Sequence, residues 1–249
     1  MVTSTSVQSM SKRIESSAVT HRGPVRDTNQ DVLIVEPQLS LWAVLDGMGG
    51  IVGGDVAARL AADAIVSFMR ENAPVKALQP RDLLDLAIGE AAAAVYSQSE
   101  QRHDLNGMGT TVVACIVESD RLVVGHVGDS RAYLWRRGEL RALTRDHSVA
   151  QELMDAGWLS AAAAATSHTK NFLTRSLGAD PVVPVDLAEQ ALEPGDRVLL
   201  CSDGVHEVVS GEELAKVLAS SAPEHAAGEL IALALTKATD NISAVVIAV

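Results

Sequence analysis

Apolar and polar residues follow two different periods along the chain, and the two periods occur in blocks. Short apolar or alternating runs are typical of β-strands, and apolar residues that recur every three or four positions are typical of helices. Pro80 suits the start of one such helix. The predicted strands lie near 15–20, 32–36, 40–45, 110–117, 122–127, 132–135, 140–143, 182–188, 198–201 and 242–249, and the predicted helices near 57–68, 81–102, 147–156, 211–219 and 223–237.

The order of these elements predicts an α+β fold. Several strands are apolar nearly throughout, which indicates that both of their faces are buried. Short polar connections such as 118–121 and 136–139 indicate antiparallel neighbours. Because strands and helices come in blocks, we expect a four-layer αββα sandwich, in which two antiparallel β-sheets pack on each other and helices flank them.

Composition narrows the class of protein. The chain has 249 residues, of which 47% are apolar and 21% charged, as in ordinary globular domains. We expect a flexible N-terminal tail over 1–13 and a single domain over 14–249. Only Cys115 and Cys201 are cysteines, and both lie in apolar runs, which predicts reduced core residues.

Charge and hydropathy bear on partners and location. The net charge of −12 disfavours a general basic surface for nucleic acid or anionic membranes. No apolar run reaches the ~18–20 residues of a membrane span, and the N-terminus lacks the apolar core of a secretory signal. The expectation is a cytoplasmic protein that binds neither nucleic acid nor membrane.

The stretch 41–50 is the most informative segment. An apolar run ends in Asp46 and is followed at once by Gly47, Gly49 and Gly50. Glycines allow a close approach of the backbone to another group. Two ligands suit that position: a phosphate held by backbone N–H groups, or a metal ion held by the carboxylate.

Four more aspartates lie at ends of predicted strands. Each is a common turn residue when considered alone. Together they form a set of hard oxygen ligands suited to Mg²⁺ or Mn²⁺, and they would repel one another without a cation. The two cysteines and seven histidines show no zinc spacing. The set consists of Asp31, Asp46, Asp129, Asp203 and Asp240.

Arg26 lies five residues before Asp31. Its planar guanidinium matches phosphate oxygens, so beside an aspartate cluster it is a candidate phosphate-binding residue. Two divalent ions, a bridging water and a phosphate held by arginine describe two-metal phosphoester hydrolysis.

The order of these motifs resembles the PPM family, the metal-dependent Ser/Thr protein phosphatases of type 2C, in its compact bacterial form. The resemblance covers about residues 15–249. It rests on Arg26 with 29–31, 46–50, 109–111, 128–131, 173–178, 202–204 and 240–241.

The resemblance implies a role for each site residue. Asp46 would bridge two ions, Mn²⁺ or Mg²⁺, and the carbonyl of Gly47 would ligate one of them. Asp203 and Asp240 would complete the ligand set. Asp31 would act on the same ions, partly through water.

Two further roles are implied by the family. Asp129 would form a third ion site with Asp203, and Arg26 would bind the substrate phosphate. The expected reaction is direct attack of the bridging water on phosphoserine or phosphothreonine in proteins, without a phosphoenzyme. The implied partners are phosphorylated proteins, including a Ser/Thr kinase that the enzyme opposes in signal transduction and the substrates of that kinase. The enzyme itself is expected to be a monomer.

The sequence also departs from the family pattern. Met48 stands where many eukaryotic members have a histidine proposed as general acid, so metal-bound water or His168 would protonate the leaving group. The region 158–170 corresponds to the mobile flap of the family, and its usual acidic sequence is replaced by five alanines over 161–165.

Two alternatives remain at this stage. Gly47–Gly53 follows a strand and precedes a helix, as a dinucleotide-binding loop would, but its spacing is G-x-G-x-x-x-G. The other alternative is a phosphatase-like regulator that binds phosphoproteins with little or no turnover.

Overall fold

The structure is a computed structural model, and it describes residues 14–73, 78–165 and 167–249. The predicted tail over 1–13 lies outside the described residues. The strands are β1 Glu15–His21, β2 Asp31–Glu36, β3 Leu41–Met48, β4 Gly109–Thr110, β5 Val112–Glu118, β6 Arg121–Val127, β7 Arg131–Arg136, β8 Glu139–Ala142, β9 Asp186–Ala191, β10 Arg197–Cys201 and β11 Ile242–Ala248. The helices are α1 Gly50–Asn72, α2 Pro80–Gln101, α3 Val149–Asp155, α4 Ala161–Ala165, α5 Asp203–His206, α6 Gly211–Ser220 and α7 Pro223–Ala234.

Two antiparallel sheets form the centre of the fold, which confirms the predicted α+β class. One sheet has the order β1-β11-β10-β7-β8, and the other has the order β2-β3-β5-β6-β9 with β4 paired to β3. Helices α1 and α2 pack on the second sheet, and α6 and α7 pack on the first. The four layers are therefore helices, sheet, sheet and helices.

Alternation along each strand explains why both faces are apolar. In β3, Leu41, Ala43 and Leu45 contact the helical layer, whereas Trp42 and Val44 face the other sheet. Side chains at successive positions point to opposite faces of a sheet. Both faces are covered here, so the strand reads as a continuous apolar run.

Two strand predictions need correction. The strand expected over 182–188 begins only at Asp186. Val182 is 84% exposed, and Pro184 lacks the N–H needed for a sheet ladder. The run expected over 110–117 is divided at Thr111, because Thr110 pairs with Gly47 in β4 while Val112 begins β5.

The remaining helices agree with the predictions in type and differ in their bounds. The five-alanine run forms α4, as its composition allowed. The sequence did not predict α5, a single turn that begins at Asp203. Cys115 and Cys201 are buried and free, as predicted. None of the helices in the described ranges combines the length and the apolar character that crossing a membrane requires.

Candidate metal centre

One end of the layer between the two sheets changes from apolar to polar. Val44, Leu33 and Val245 face the opposite sheet, and the alternation continues from them to Asp46, Asp31 and Ser243. Because alternate positions share a face, these polar side chains also belong to the layer between the sheets. The site is therefore the polar end of the central core.

Five aspartates converge at this end, and we name them together the aspartate cluster: Asp31, Asp46, Asp129, Asp203 and Asp240. Asp31 and Asp46 are paired directly across β2 and β3. Asp129 lies in the turn between β6 and β7, Asp203 begins α5, and Asp240 precedes β11. The sequence prediction that these residues share one site is consistent with this geometry.

A cavity of about 690 Å³ opens at the cluster. Asp46, Asp129, Asp203 and Asp240 line it, and Arg26 lines its edge. Asp31 lies beneath this surface and is only 5% exposed. The cavity is wide enough for a group larger than a metal ion to enter.

The charges of the cluster are poorly balanced, and the pKa values reflect this. Burial raises the pKa of Asp46 well above its ordinary value, and the charges of the four other aspartates raise it further. The pKa of Asp203 is raised well above its ordinary value for the same reasons, with burial first and Asp129 second. Burial also raises the pKa values of Asp31 and Asp129 to about 6. Such a cluster favours a bound proton or cation.

Two carboxylate oxygens of the cluster are available to bind a metal ion. Oδ1 of Asp31 and Oδ1 of Asp203 are buried and have no hydrogen-bond partner among the residues that the structure describes. A buried polar atom without a partner costs about 1–3 kcal/mol. These hard oxygen donors fit Mg²⁺ or Mn²⁺, so the residues present suit a divalent ion.

The backbone of Asp46 is held by the Gly-Thr-Thr motif. Its N–H donates to Oγ1 of Thr111 at 3.1 Å, and its carbonyl accepts the N–H of Thr111 at 2.9 Å and the hydroxyl of Thr110 at 3.0 Å. These contacts explain why the strand divides at Thr111. They also fix Asp46 rigidly at the end of β3.

The glycines after Asp46 pack closely against protein backbone. A Cβ on Gly47 would lie 2.1 Å from the carbonyl oxygen of Gly54. A Cβ on Gly49, whose φ is +132°, would lie 2.7 Å from the Cα of Met108. The sequence predicted that these glycines let the backbone approach another group closely. The structure shows that protein backbone is among the groups approached.

Arg26 forms an ion pair within the site. Its Nη2 donates to Oδ2 of Asp240 at 2.5 Å, and that hydrogen bond raises the pKa of Arg26. Oδ1 of Asp240 accepts the N–H of Asn241 at 2.8 Å. The guanidinium thus stands at the cavity edge beside the carboxylates, where it is more than half exposed.

Asn241 holds the loop that carries Arg26, a role that the sequence did not reveal. Its Oδ1 accepts the N–H of Gln30 at 2.8 Å. Its Nδ2 donates to the carbonyls of Arg22 and Thr28, each at 2.8 Å. One buried amide therefore ties the 22–30 loop to the start of β11, next to Asp240.

A second polar cluster, which we name the histidine network, was also missed from the sequence; it comprises His126, His147, Arg175 and Asp186. The rings of His126 and His147 stack with centroids 4.6 Å apart. Nη1 of Arg175 donates to Oδ1 of Asp186 at 2.7 Å. The separation of its members in the chain gave no local signal for this cluster.

The hydrogen bonds of the histidine network argue against a metal site there. Nδ1 of His147 accepts the N–H of Gly128 at 3.1 Å, so the neutral ring carries its proton on Nε2. That nitrogen lies 3.2 Å from Oδ2 of Asp186 and leaves no lone pair for a cation. Burial lowers the pKa of His147, which also favours the neutral form.

Residues 21–230 match the family described as Protein phosphatase 2C. The match covers most of the chain and includes four of the five aspartates. The chain therefore belongs to the protein phosphatase 2C family. This family membership confirms the resemblance drawn from the motifs. The four-layer fold that the resemblance implied is also confirmed.

Relatives and solved structures support the same class. The chain is 38% identical over 205 residues to the Serine/threonine phosphatase stp of Listeria monocytogenes, covering 81% of each chain. It matches the structure of the Mycobacterium tuberculosis serine/threonine phosphatase PstP/Ppp with a TM-score of 0.87, at 34% identity, over 95% of this chain and 98% of that chain.

A third comparison bears on the ligand. The catalytic domain of the serine threonine protein phosphatase PstP, in complex with two manganese ions, matches with a TM-score of 0.84 at 34% identity. That match covers 94% of this chain and 97% of that chain. The dinucleotide alternative finds no support, because both sheets are antiparallel whereas that loop belongs to a parallel sheet.

Proposed function

We propose that this protein is a metal-dependent phosphatase that hydrolyses phosphoserine and phosphothreonine in proteins. The observation that carries the proposal is the convergence of aspartates from separate segments on one cavity that Arg26 also lines. Membership of the protein phosphatase 2C family and relatives named serine/threonine phosphatase support the same activity.

The aspartate cluster would hold the metal ions. Asp46, the carbonyl of Gly47, Asp203 and Asp240 would ligate two ions of Mn²⁺ or Mg²⁺, and Asp31 would act on the same pair. Asp129 would form a third site with Asp203. When bound, a pair of such ions supplies hydroxide near neutral pH and neutralises charge on phosphoryl oxygens.

Arg26 would bind the phosphate of the substrate. Its guanidinium is exposed at the cavity edge and donates to Asp240. An incoming phosphate offers the same kind of anionic acceptor. Exchange of the carboxylate for the phosphate would orient the substrate and leave Asp240 for a cation.

The wider setting is part of the same proposal. Residues 14–249 would form one catalytic domain that acts as a cytoplasmic monomer. The physiological substrates would be a Ser/Thr kinase and the proteins that this kinase phosphorylates. The net charge of −12 supports protein rather than nucleic-acid partners.

The decisive test compares Asp46→Asn with Asp85→Asn, an exposed aspartate on α2. With Mn²⁺ and a phosphothreonine peptide, we expect Asp46→Asn to lower kcat by roughly 10³-fold, because it removes a ligand of the charge-neutralising site. Asp85→Asn should leave kcat unchanged. Near-normal turnover by Asp46→Asn would contradict the proposed role of that residue.

The phosphatase-like regulator is distinguished by the wild-type protein itself. A catalytic phosphatase should release inorganic phosphate from the peptide with multiple turnovers in Mn²⁺ and stop in EDTA. Tight binding of the phosphopeptide without phosphate release would instead support the regulator.

A further inference from the structure

The two carboxylate oxygens of Asp31 are in different environments. Oδ2 accepts the hydroxyl of Ser202 at 2.9 Å and the hydroxyl of Ser243 at 2.6 Å. Oδ1 is buried without a partner among the described residues. Asp31 is paired directly with Asp46 across β2 and β3. Two serines therefore occupy Oδ2 and leave Oδ1 free in the residue that is paired with Asp46.

These contacts cross from one sheet to the other. Asp31 begins β2 in one sheet, whereas Ser202 directly follows β10 and Ser243 lies in β11 of the other. Both serines have no solvent exposure. Water therefore does not compete for their hydroxyls, and the orientation of Asp31 depends on the packing of the sheets.

The surrounding hydrogen bonds indicate that the hydroxyls of Ser202 and Ser243 both donate to Asp31. Oγ of Ser202 accepts the N–H of Ser243 at 3.0 Å, so its hydrogen is available for Asp31. Oγ of Ser243 lies 2.7 Å from Oγ1 of Thr20, which accepts from Nδ2 of Asn29 at 2.8 Å. A hydroxyl has one hydrogen. The carboxylate of Asp31 is a stronger acceptor than the hydroxyl of Thr20, so the hydrogen of Ser243 is directed to Asp31.

We propose that Ser202 and Ser243 are positioning residues for the metal centre. By holding Oδ2 of Asp31 from the opposite sheet, they keep Oδ1 free beside Asp46 for a divalent cation or its water. The inference rests on the proposed function, since it concerns the same site. Residues that orient ligands in this way typically change metal affinity 10–100-fold when they are removed.

The test measures Mn²⁺ binding to the metal-free protein by isothermal titration calorimetry. We expect Ser202→Ala and Ser243→Ala each to weaken Mn²⁺ binding about tenfold. Ser243→Thr, which keeps the hydroxyl, should restore most of the affinity. Ser99→Ala is the matched control, because Ser99 is also buried but its hydroxyl donates to the backbone carbonyl of Leu105 and not to a carboxylate.

A second background separates positioning from a general loss of structure. In Asp31→Asn protein, Ser243→Ala should weaken Mn²⁺ binding no further, since its effect acts through the Asp31 carboxylate. Equal losses in both backgrounds, or affinities like that of Ser99→Ala, would overturn the inference. Absence of Mn²⁺ binding by the wild type would instead contradict the proposed function, and with it this inference.

Discussion

The aspartate cluster and the histidine network both bring charged side chains together, yet their charges are arranged in opposite ways. In the histidine network, Arg175 and His147 both face Asp186, and these contacts help to lower the pKa of that carboxyl against the opposing effect of burial. In the aspartate cluster, burial and mutual repulsion raise the pKa values of Asp31, Asp46 and Asp203.

The difference teaches which cluster is built for a ligand. A balanced network is satisfied by the protein itself and has no need of a further charge. An unbalanced cluster lowers stability unless a cation or proton joins it. The fold therefore keeps unfavourable charge repulsion at the site of proposed chemistry, whereas the charges of the histidine network are balanced.

The largest expected effect is on the pH dependence of stability in the metal-free protein. The pKa of Asp31 is about 6 in the folded state and about 3.9 when unfolded. Because the folded pKa is the higher one, this contribution to stability is present below pH 3.9 and is lost as the pH rises to 6. The loss is on the order of 3 kcal/mol.

Urea unfolding in EDTA between pH 4 and pH 7 measures this effect. The stability of Asp31→Asn relative to wild type should increase over that range, because asparagine has no charge to bury. Mn²⁺ should reduce the difference by stabilising the ionised wild type, by about 2.7 kcal/mol per site at a concentration of 100 Kd. A difference that is independent of pH would contradict the proposed imbalance.

The next effect separates the arginines of the two clusters. We expect Arg26→Ala to lower kcat/KM for a phosphothreonine peptide by roughly 10²-fold, since a charge-assisted contact to phosphate contributes about 1.5–3 kcal/mol. Arg175→Ala should change kcat/KM less than threefold, because Arg175 pairs with Asp186 outside the cavity. Equal losses in steady-state assays would show that the two clusters act as one.

The smallest effect concerns His147, whose ring holds the turn before Asp129. His147→Asn can still present an oxygen near the position of Nδ1 to the N–H of Gly128, whereas His147→Gln cannot do so from the same backbone position. We expect His147→Gln to be less stable than His147→Asn by about 1–2 kcal/mol, the cost of a buried N–H without a partner. Thermal unfolding at pH 7.5 compares them.

The pH dependence of the His147 contribution has the opposite sign to that of Asp31. Its folded pKa lies below the unfolded value of about 6.5. Stability from the neutral ring is therefore present above pH 6.5 and is lost as the pH falls through the folded pKa. Indistinguishable stabilities of the two variants at pH 7.5 would contradict the hydrogen bond inferred from Nδ1.

Much of the fold could be read from local pattern. Apolar runs such as 41–45 and 198–201 predicted buried strands, and their short polar connections predicted antiparallel sheets. Local pattern failed at 182–188, where Pro184 and an exposed Val182 keep apolar residues out of the sheet. It also missed α5, because a single turn has no periodicity to detect.

The sequence by itself determined the ligand chemistry: five aspartates at strand ends, the glycines after Asp46, and an arginine nearby. Only the tertiary structure decided which of their atoms remain free. Ser202 and Ser243 reach Asp31 from the opposite sheet, and Asn241 fixes the loop of Arg26 across more than 200 residues of chain. Such contacts depend on how two sheets pack and leave no local signal. The one related signal in the sequence is strand alternation, which places Asp31, Asp46 and Ser243 on the same strand faces as the apolar residues between the sheets.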